Sequence, residues 1–452
     1  MQCWLGATAR IEPGKRRMAT SNEMLGALIA IGLLAGPGAA QTKPAVTLVE
    51  ALERSERVQP RVVQAMGVVK NADARVRSSK GAYLPNLNVS TSAAEFFSEG
   101  QRVDQSTGQL VETNSSTTSF NGSVNSSIEL FDGFRRGAES RSARANRESA
   151  VESLEDARFQ QGLLTTNQFF DVLAATQLGR VREASVRRAD EQLKVSIARL
   201  RAGAAIRSDS LRSLVTLGNA RVQLINAATQ LATAEANLGR LIGLDGPAAA
   251  VDDSGFYQVT EVLDTVALRA EAIARAPQVR LAEAAARAAR ASIGVARAGY
   301  WPTLTLAGSN SINGSEQNDF QFLQQRQASL TVNWAVFNRF TREQNIANQT
   351  STAETAEANA NEVRRQVLAS LTTRLAELDA ARVRTGISQT SLAAAGEDGR
   401  VQQERYRLGV ATIVDVLTSQ ESLTQAEVDA VTARFDYLRA KAQIQALIGR
   451  KL

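Results

Sequence analysis

The chain has 452 residues, no histidine, one cysteine, 5% aromatic residues and a net charge of +6. Without histidine, Ser-His-Asp and Cys-His nucleophilic sites and most zinc sites drop out. No metal, cofactor or catalytic constellation takes their place, so the sequence is not read as an enzyme. Lysines and arginines are interleaved with acids along helical stretches. That is the pattern of a solvated helix face, not of a nucleic-acid site.

Lys15, Arg16 and Arg17 precede an apolar run from Met24 to Leu34, and Gly38 and Ala40 supply small residues at −3 and −1. Residues 1–40 therefore read as a secretory signal peptide. Cleavage after Ala40 would remove Cys3 and leave a cysteine-free chain. The stretch before Met18 is long for the charged part of such a leader, which leaves the start codon open. The apolar run is about 11 residues, too short to span a bilayer as a helix. Entry into a membrane would have to be by strands.

The rest of the chain repeats itself. RLRAGAAIRSDSL at residues 199–211 returns as RYRLGVATIVDVL at residues 405–417, with Gly203/Gly409 and Asp209/Asp415 coinciding. The first repeat spans residues 41–247: a helix at 46–80 with a break at Gln59-Pro60, a β-hairpin over 85–131, a long helix to about Ala202, and a shorter helix at 208–244. Residues 248–261 read as a connector. The second repeat, 262–452, runs in the same order: helix 262–298, hairpin 302–337, long helix 342–408, last helix 413–448. The extra residues of the first repeat all fall in its hairpin loop, read as 98–118, where insertions are tolerated. A helix of nearly 70 residues is roughly 100 Å long and needs a coiled-coil partner. The two shorter helices of each repeat, stacked end to end, match that length.

In the hairpins the period switches to two. Leu87, Val89, Thr91 and Ala93 share one face, and Asn86, Asn88, Ser90 and Ser92 the other. Strands of about 10–13 residues are long enough to cross a bilayer when tilted. Tyr83, Tyr300, Trp301 and Trp334 fall at the helix-side strand ends, where an interfacial aromatic girdle belongs. Four strands cannot close a barrel, and open edges are not tolerated in lipid. A membrane reading therefore demands a homo-oligomer, and a trimer of twelve strands leaves a pore. A soluble four-stranded sheet packed on helices, in a periplasmic coiled-coil adaptor or scaffold, remains the other reading.

The ordered set of motifs resembles the outer-membrane efflux protein family, the TolC-like trimeric export ducts. It comprises the Leu84-Pro85 and Trp301-Pro302 helix-to-strand turns, FDGF at 131–134 and FNRF at 337–340, the two glycine corners, and IVDVL at 413–417. The resemblance implies an α+β membrane protein, with a twelve-stranded trimeric β-barrel continued by a tunnel of coiled-coil helices. It implies a passive exit duct of a tripartite efflux or type I secretion system, in the outer membrane with a large periplasmic part. Its partners would be a periplasmic adaptor protein and an inner-membrane transporter. The resemblance also places a periplasmic gate at Asp415, Tyr406, Asp209 and Thr418, and an adaptor-docking tip at Gly203, Ala204, Gly409 and Val410. Where the family has a second acidic residue and a latching arginine, this chain has Thr418 and Ala411. Helix capping is the competing role for Asp209 and Asp415.

Overall fold

A computed structural model of the protein describes residues 43–103, 106, 108–257, 264–316 and 319–450. The expected signal peptide, Cys3 included, lies outside the described residues.

The first half begins with β1 (Ala45–Val46), α1 (Leu48–Val58) and α2 (Pro60–Gly81), followed by β2 (Asn86–Val103) and β3 (Leu110–Phe131). Helices α3 (Arg135–Arg201) and α4 (Arg207–Leu241) complete it. The short strand β4 (Ala249–Ala250) pairs in parallel with β1, so the stretch expected to be a plain connector carries a strand. The second half holds α5 (Thr265–Arg275), α6 (Pro277–Arg297), β5 (Thr303–Ser315), β6 (Leu323–Asn333), α7 (Thr341–Arg407) and α8 (Ile413–Ile448). The long helices α3 and α7 have 67 residues each.

One helix was expected over 262–298, but Pro277 divides it. Proline has no N–H to donate and sits well at the first position of a new helix, so α5 stops at Arg275 and α6 starts on Pro277. Pro60 does the same between α1 and α2.

The helices pair through small residues at heptad spacing. Ser213, Ala220, Ala227, Ala234 and Leu241 are the buried register of α4, and Ala353, Ala360 and Val367 that of α7. This spacing keeps one seam facing the partner, and alanine lets the backbones approach. α4 lies along α3, and α1 and α2 continue the line, as α8, α6 and α5 do along α7. At the joint, Gln59 Nε2 donates to the Leu241 carbonyl at 2.6 Å. The two halves meet along α3, which packs against both α6 and α8. The largest apolar cluster lies mid-length, where Phe169, Phe170 and Phe435 meet Phe256 beyond β4.

All four long strands form one antiparallel sheet in the order β2-β3-β5-β6. The strands of the second hairpin have 13 and 11 residues, as expected, but those of the first have 18 and 22. The ladder runs on to Val103↔Leu110, through sequence read as loop because it lacks apolar alternation. Backbone pairing needs no such alternation where both faces meet water. A tilted membrane strand takes about 9–11 residues, so the first hairpin projects well beyond the second.

Both strand-to-helix corners use left-handed residues, Gly133 and Phe134 in one and Arg339 and Phe340 in the other. Each corner is closed by an edge-to-face pair, Phe131–Phe134 at 5.4 Å and Phe337–Phe340 at 5.5 Å. Glycine is required at 133 for a further reason: a Cβ there would lie 2.7 Å from both the Ala298 carbonyl and Trp301 Cβ. At Gly203, also left-handed, a Cβ would meet nothing within 4 Å. Gly133→Ala should therefore cost roughly 2–5 kcal/mol, from left-handed strain plus overpacking. Gly203→Ala should cost only about 1–2 kcal/mol. Thermal unfolding of the two purified variants checks the order.

Candidate functional site

Three surfaces carry the predicted residues: the glycine corners, the junction between sheet and helices, and the two faces of the sheet.

At the corners, α3 and α7 end in the same hydrogen-bonded turn. Gly203 N–H donates to Leu200 O and Ala204 N–H to Arg199 O, while Gly409 N–H donates to Tyr406 O and Val410 N–H to Arg405 O. The glycines take φ of 73° and 82°, the left-handed cap that satisfies the last carbonyls of a helix. Gly203, Ala204, Gly409 and Val410 are all exposed. Leu408 and Ile206 beside them are also exposed, at 78% and 67%.

Beyond the second corner, Thr412 and Asp415 form a reciprocal cap on α8. Asp415 N–H donates to Thr412 Oγ1 at 3.3 Å, and Asp415 Oδ2 accepts from the Thr412 N–H and hydroxyl, each at 2.8 Å. These bonds, with the charge of Arg405 adding to them, hold the Asp415 carboxyl below its ordinary range. Its side chain remains in solvent. Asp209 sits in the first turn of α4, but the capping position there is Ile206, without a side-chain bond. Thr418 is exposed on the wall of a groove of about 1140 Å³ that also includes Leu211, Val215, Val414 and Leu417.

Tyr406 is buried at 3% exposure against Ile413, Val416, Val195 and Ala411. Its hydroxyl has no hydrogen-bond partner, so it is not bonded to Asp209. What holds Tyr406 is Arg199, which was not singled out from the sequence. The Arg199 guanidinium lies 4.4 Å from the Tyr406 ring centroid and donates to the Tyr406 carbonyl. It also donates to Ala204 O at 3.4 Å. One side chain thus ties the first corner to the second. The available signal was the coincidence of Arg199 with Arg405 in the repeat. Farther along the same helices, Arg188 binds Glu427 and Thr424, and Arg439 binds Asp171.

At the junction, arginine covers a tyrosine ring in each half. Arg136 lies 4.8 Å from Tyr83, and Arg342 lies 4.1 Å from Tyr300. Trp301 meets Phe134 edge-to-face at 5.9 Å, and Trp334 Nε1 donates to Tyr300 O at 3.2 Å. All four predicted girdle aromatics are 44–57% exposed. Each partner arginine is distant in sequence from its ring, so local spacing carries no signal of the pairing.

The register sorts the sheet's side chains. Asn88, Asn125, Ser309 and Gln327 lie level on one face, with Ser90, Ser123, Ser311 and Gln325 in the next level. The opposite face carries Leu87, Val89, Val124, Ile128, Leu306 and Leu330. Toward the second hairpin's turn that apolar face is interrupted by Asn310, Gln324 and Arg326. Gln324 Nε2 donates to Asn310 Oδ1 at 3.0 Å. Within the described residues β2 pairs only with β3, and β6 only with β5, so both outer edges are open. No helix among the described residues is long and apolar enough to cross a membrane.

Comparison with known proteins yields a consistent result. The chain is 25% identical to the pyoverdine export outer membrane protein OpmQ of Pseudomonas aeruginosa over 404 residues, covering 85% of this chain and 81% of that one. Its fold matches the outer membrane protein VceC of Vibrio cholerae with a TM-score of 0.71 at 17% identity, covering 89% and 96% of the two chains. It matches the open state of the Neisseria gonorrhoeae MtrE outer membrane channel with a TM-score of 0.72 at 17% identity, covering 89% of each. The family model described as outer membrane efflux protein matches residues 48–244 and 268–450. With the alternating sheet, the capped glycine corners and the twice-repeated helical hairpins in hand, these matches place the chain in the outer membrane efflux protein family, as an outer-membrane export channel with a large periplasmic helical part.

Proposed function

We propose that three copies of the chain close a twelve-stranded barrel and a helical tunnel, which together form the passive exit duct of a tripartite efflux or type I secretion system. The observation that carries this is the sheet: one polar face, one largely apolar face, and two unpaired edges. Unpaired backbone groups cost several kilocalories each in lipid, so β6 of one copy pairs with β2 of the next. A soluble scaffold would leave the apolar face in water. The junction aromatics then sit at the periplasmic membrane interface. The exposed corner residues Gly203, Ala204, Gly409 and Val410 form the tip that receives a periplasmic adaptor, which links the duct to an inner-membrane transporter. Among relatives, OpmQ is named for export of pyoverdine, which supports an export role. Native mass spectrometry of the detergent-purified protein should give three copies. A protein that is monomeric and soluble without detergent would overturn the proposal.

The corners act as the gate in this reading. Asp415 supplies a carboxylate from each copy near the axis, with Thr418 and Asp209 on adjoining first turns. Arg199 supplies the latch, because opening the second corner away from the first must lift its guanidinium off Tyr406. Loss of the ring contact and the bonds to carbonyls removes about 1–3 kcal/mol. Arg199→Ala should therefore raise the open-to-closed ratio of reconstituted channels roughly 5- to 150-fold. Single-channel recording checks this, and an unchanged ratio would remove Arg199 from the gate.

Asp415 has two separable roles. Its folded-state pKa is depressed, so its capping contribution is fully present above the ordinary carboxylate range and is lost only as pH falls through the lowered value. Block by polyvalent cations should likewise persist to a more acid pH than an ordinary carboxylate allows. Asp415→Asn should abolish that block at every pH. Thr412→Ala, which loses a cap worth about 1 kcal/mol, should keep the block but move its pH midpoint upward. If Asp415→Asn leaves block and selectivity intact, Asp415 is a cap alone.

A further inference from the structure

We propose that the barrel, over the levels where all four strands pair, exerts no charge selection on its cargo: its lumen there is an uncharged hydrogen-bonding surface that passes cations, anions and neutral polar solutes alike. The inference rests on the trimeric duct reading, in which the polar sheet face lines the pore.

Across the levels shared by all four strands, the lumen-facing residues are serine, asparagine and glutamine, with only Ala307 and Leu323 departing. The one charged side chain in those levels is Arg326, and its register with Asn310 and Val124 puts it on the opposite face. The lumen-facing groups also bond to one another. Ser90 and Ser123 hydroxyls lie 2.8 Å apart, Asn125 Nδ2 donates to Ser123 at 3.0 Å, and Ser127 Oγ donates to Asn86 at 3.0 Å. Hydroxyls and amides both donate and accept, so this wall can solvate either sign of charge.

An independent observation lies at the foot of the barrel. Glu129 is the first charged residue met on the lumen face below those levels, and Arg135 neutralises it through two bonds, at 3.0 and 2.7 Å. A ring of three free carboxylates at that height would create a potential of several kT; Arg135, whose Nη2 donates to both Glu129 carboxylate oxygens, offsets it. Charges of the helical tip are too distant to substitute, since screening acts over about 8–10 Å at physiological salt. Discrimination by charge therefore falls to the periplasmic end, around Asp415, and the barrel adds only a size limit.

Single cysteines in a Cys3→Ser background test this on the reconstituted full-length channel. Ser90→Cys, Asn125→Cys, Ser309→Cys and Gln327→Cys probe the lumen, and Val89→Cys and Leu306→Cys the apolar face. Each is treated with a cationic and an anionic methanethiosulfonate of similar size. Dividing the two rates cancels any shift in thiol reactivity. Both reagents should modify every lumen cysteine that assembles, with a rate ratio within about fivefold of that for a free thiol. Neither should modify the apolar-face cysteines. A ratio beyond fivefold at two or more lumen positions overturns the proposal while leaving the duct intact. Lumen cysteines that react with neither reagent, or apolar-face cysteines that react with both, overturn the barrel reading on which the proposal rests.

Discussion

An unpaired strand edge cannot sit in hydrocarbon, and the organisation of this chain answers that one constraint. Among the described residues, a single copy supplies four long strands and leaves the outer sides of β2 and β6 without partners. Side chains on one face suit lipid and those on the other suit water, so neither burial in a core nor a free life in solution satisfies both. In the proposed trimer, closure with further copies satisfies both. Tandem repetition makes the closure regular: each half contributes one hairpin and one helical pair, and the halves meet along α3.

The helices obey a different economy. Alanine is the commonest residue in their buried register, so many contacts bury little area, and stability comes from repetition along helices of 67 residues. The largest apolar cluster is the one around Phe169, Phe170, Phe256 and Phe435 at mid-length. That cluster anchors the joint where shorter helices meet end to end. The far corners rest on small apolar contacts and on single side chains such as Arg199. A large cluster at the middle and light fastening at the tip is the distribution that the proposed gate at the tip requires, since mobile elements come from the low-stability part of a fold.

Arginine does related work at both ends of the helices. At the sheet junction Arg136 and Arg342 cover Tyr83 and Tyr300, and at the tip Arg199 covers Tyr406. The junction pairs are also fixed locally, Arg136 by Asp132 in the turn before its helix and Arg342 by Glu343 on its own helix. Arg199 instead spans from one half of the chain to the other. The same stacked pair is therefore a brace where it closes locally and a tie between the two corners where it crosses between halves.

Periodicity alone determined the order of elements, the repeat, the long helices and the two-faced strands, because these depend on spacing that a reader can count. The glycine corners were legible because a left-handed cap nearly demands glycine. Pro277 is equally visible, and it divides an alanine-rich run whose spacing otherwise predicts one helix. Tertiary structure alone decided how far the first hairpin extends, since its outer ladder is held by backbone bonds between residues with no apolar pattern. It alone decided that Asp415 caps α8 while Asp209 does not cap α4, and that Arg199 reaches Tyr406 across 207 positions of chain. Local rules act along the sequence and can be read from it. Contacts between distant segments exist only once packing has set which helix faces meet.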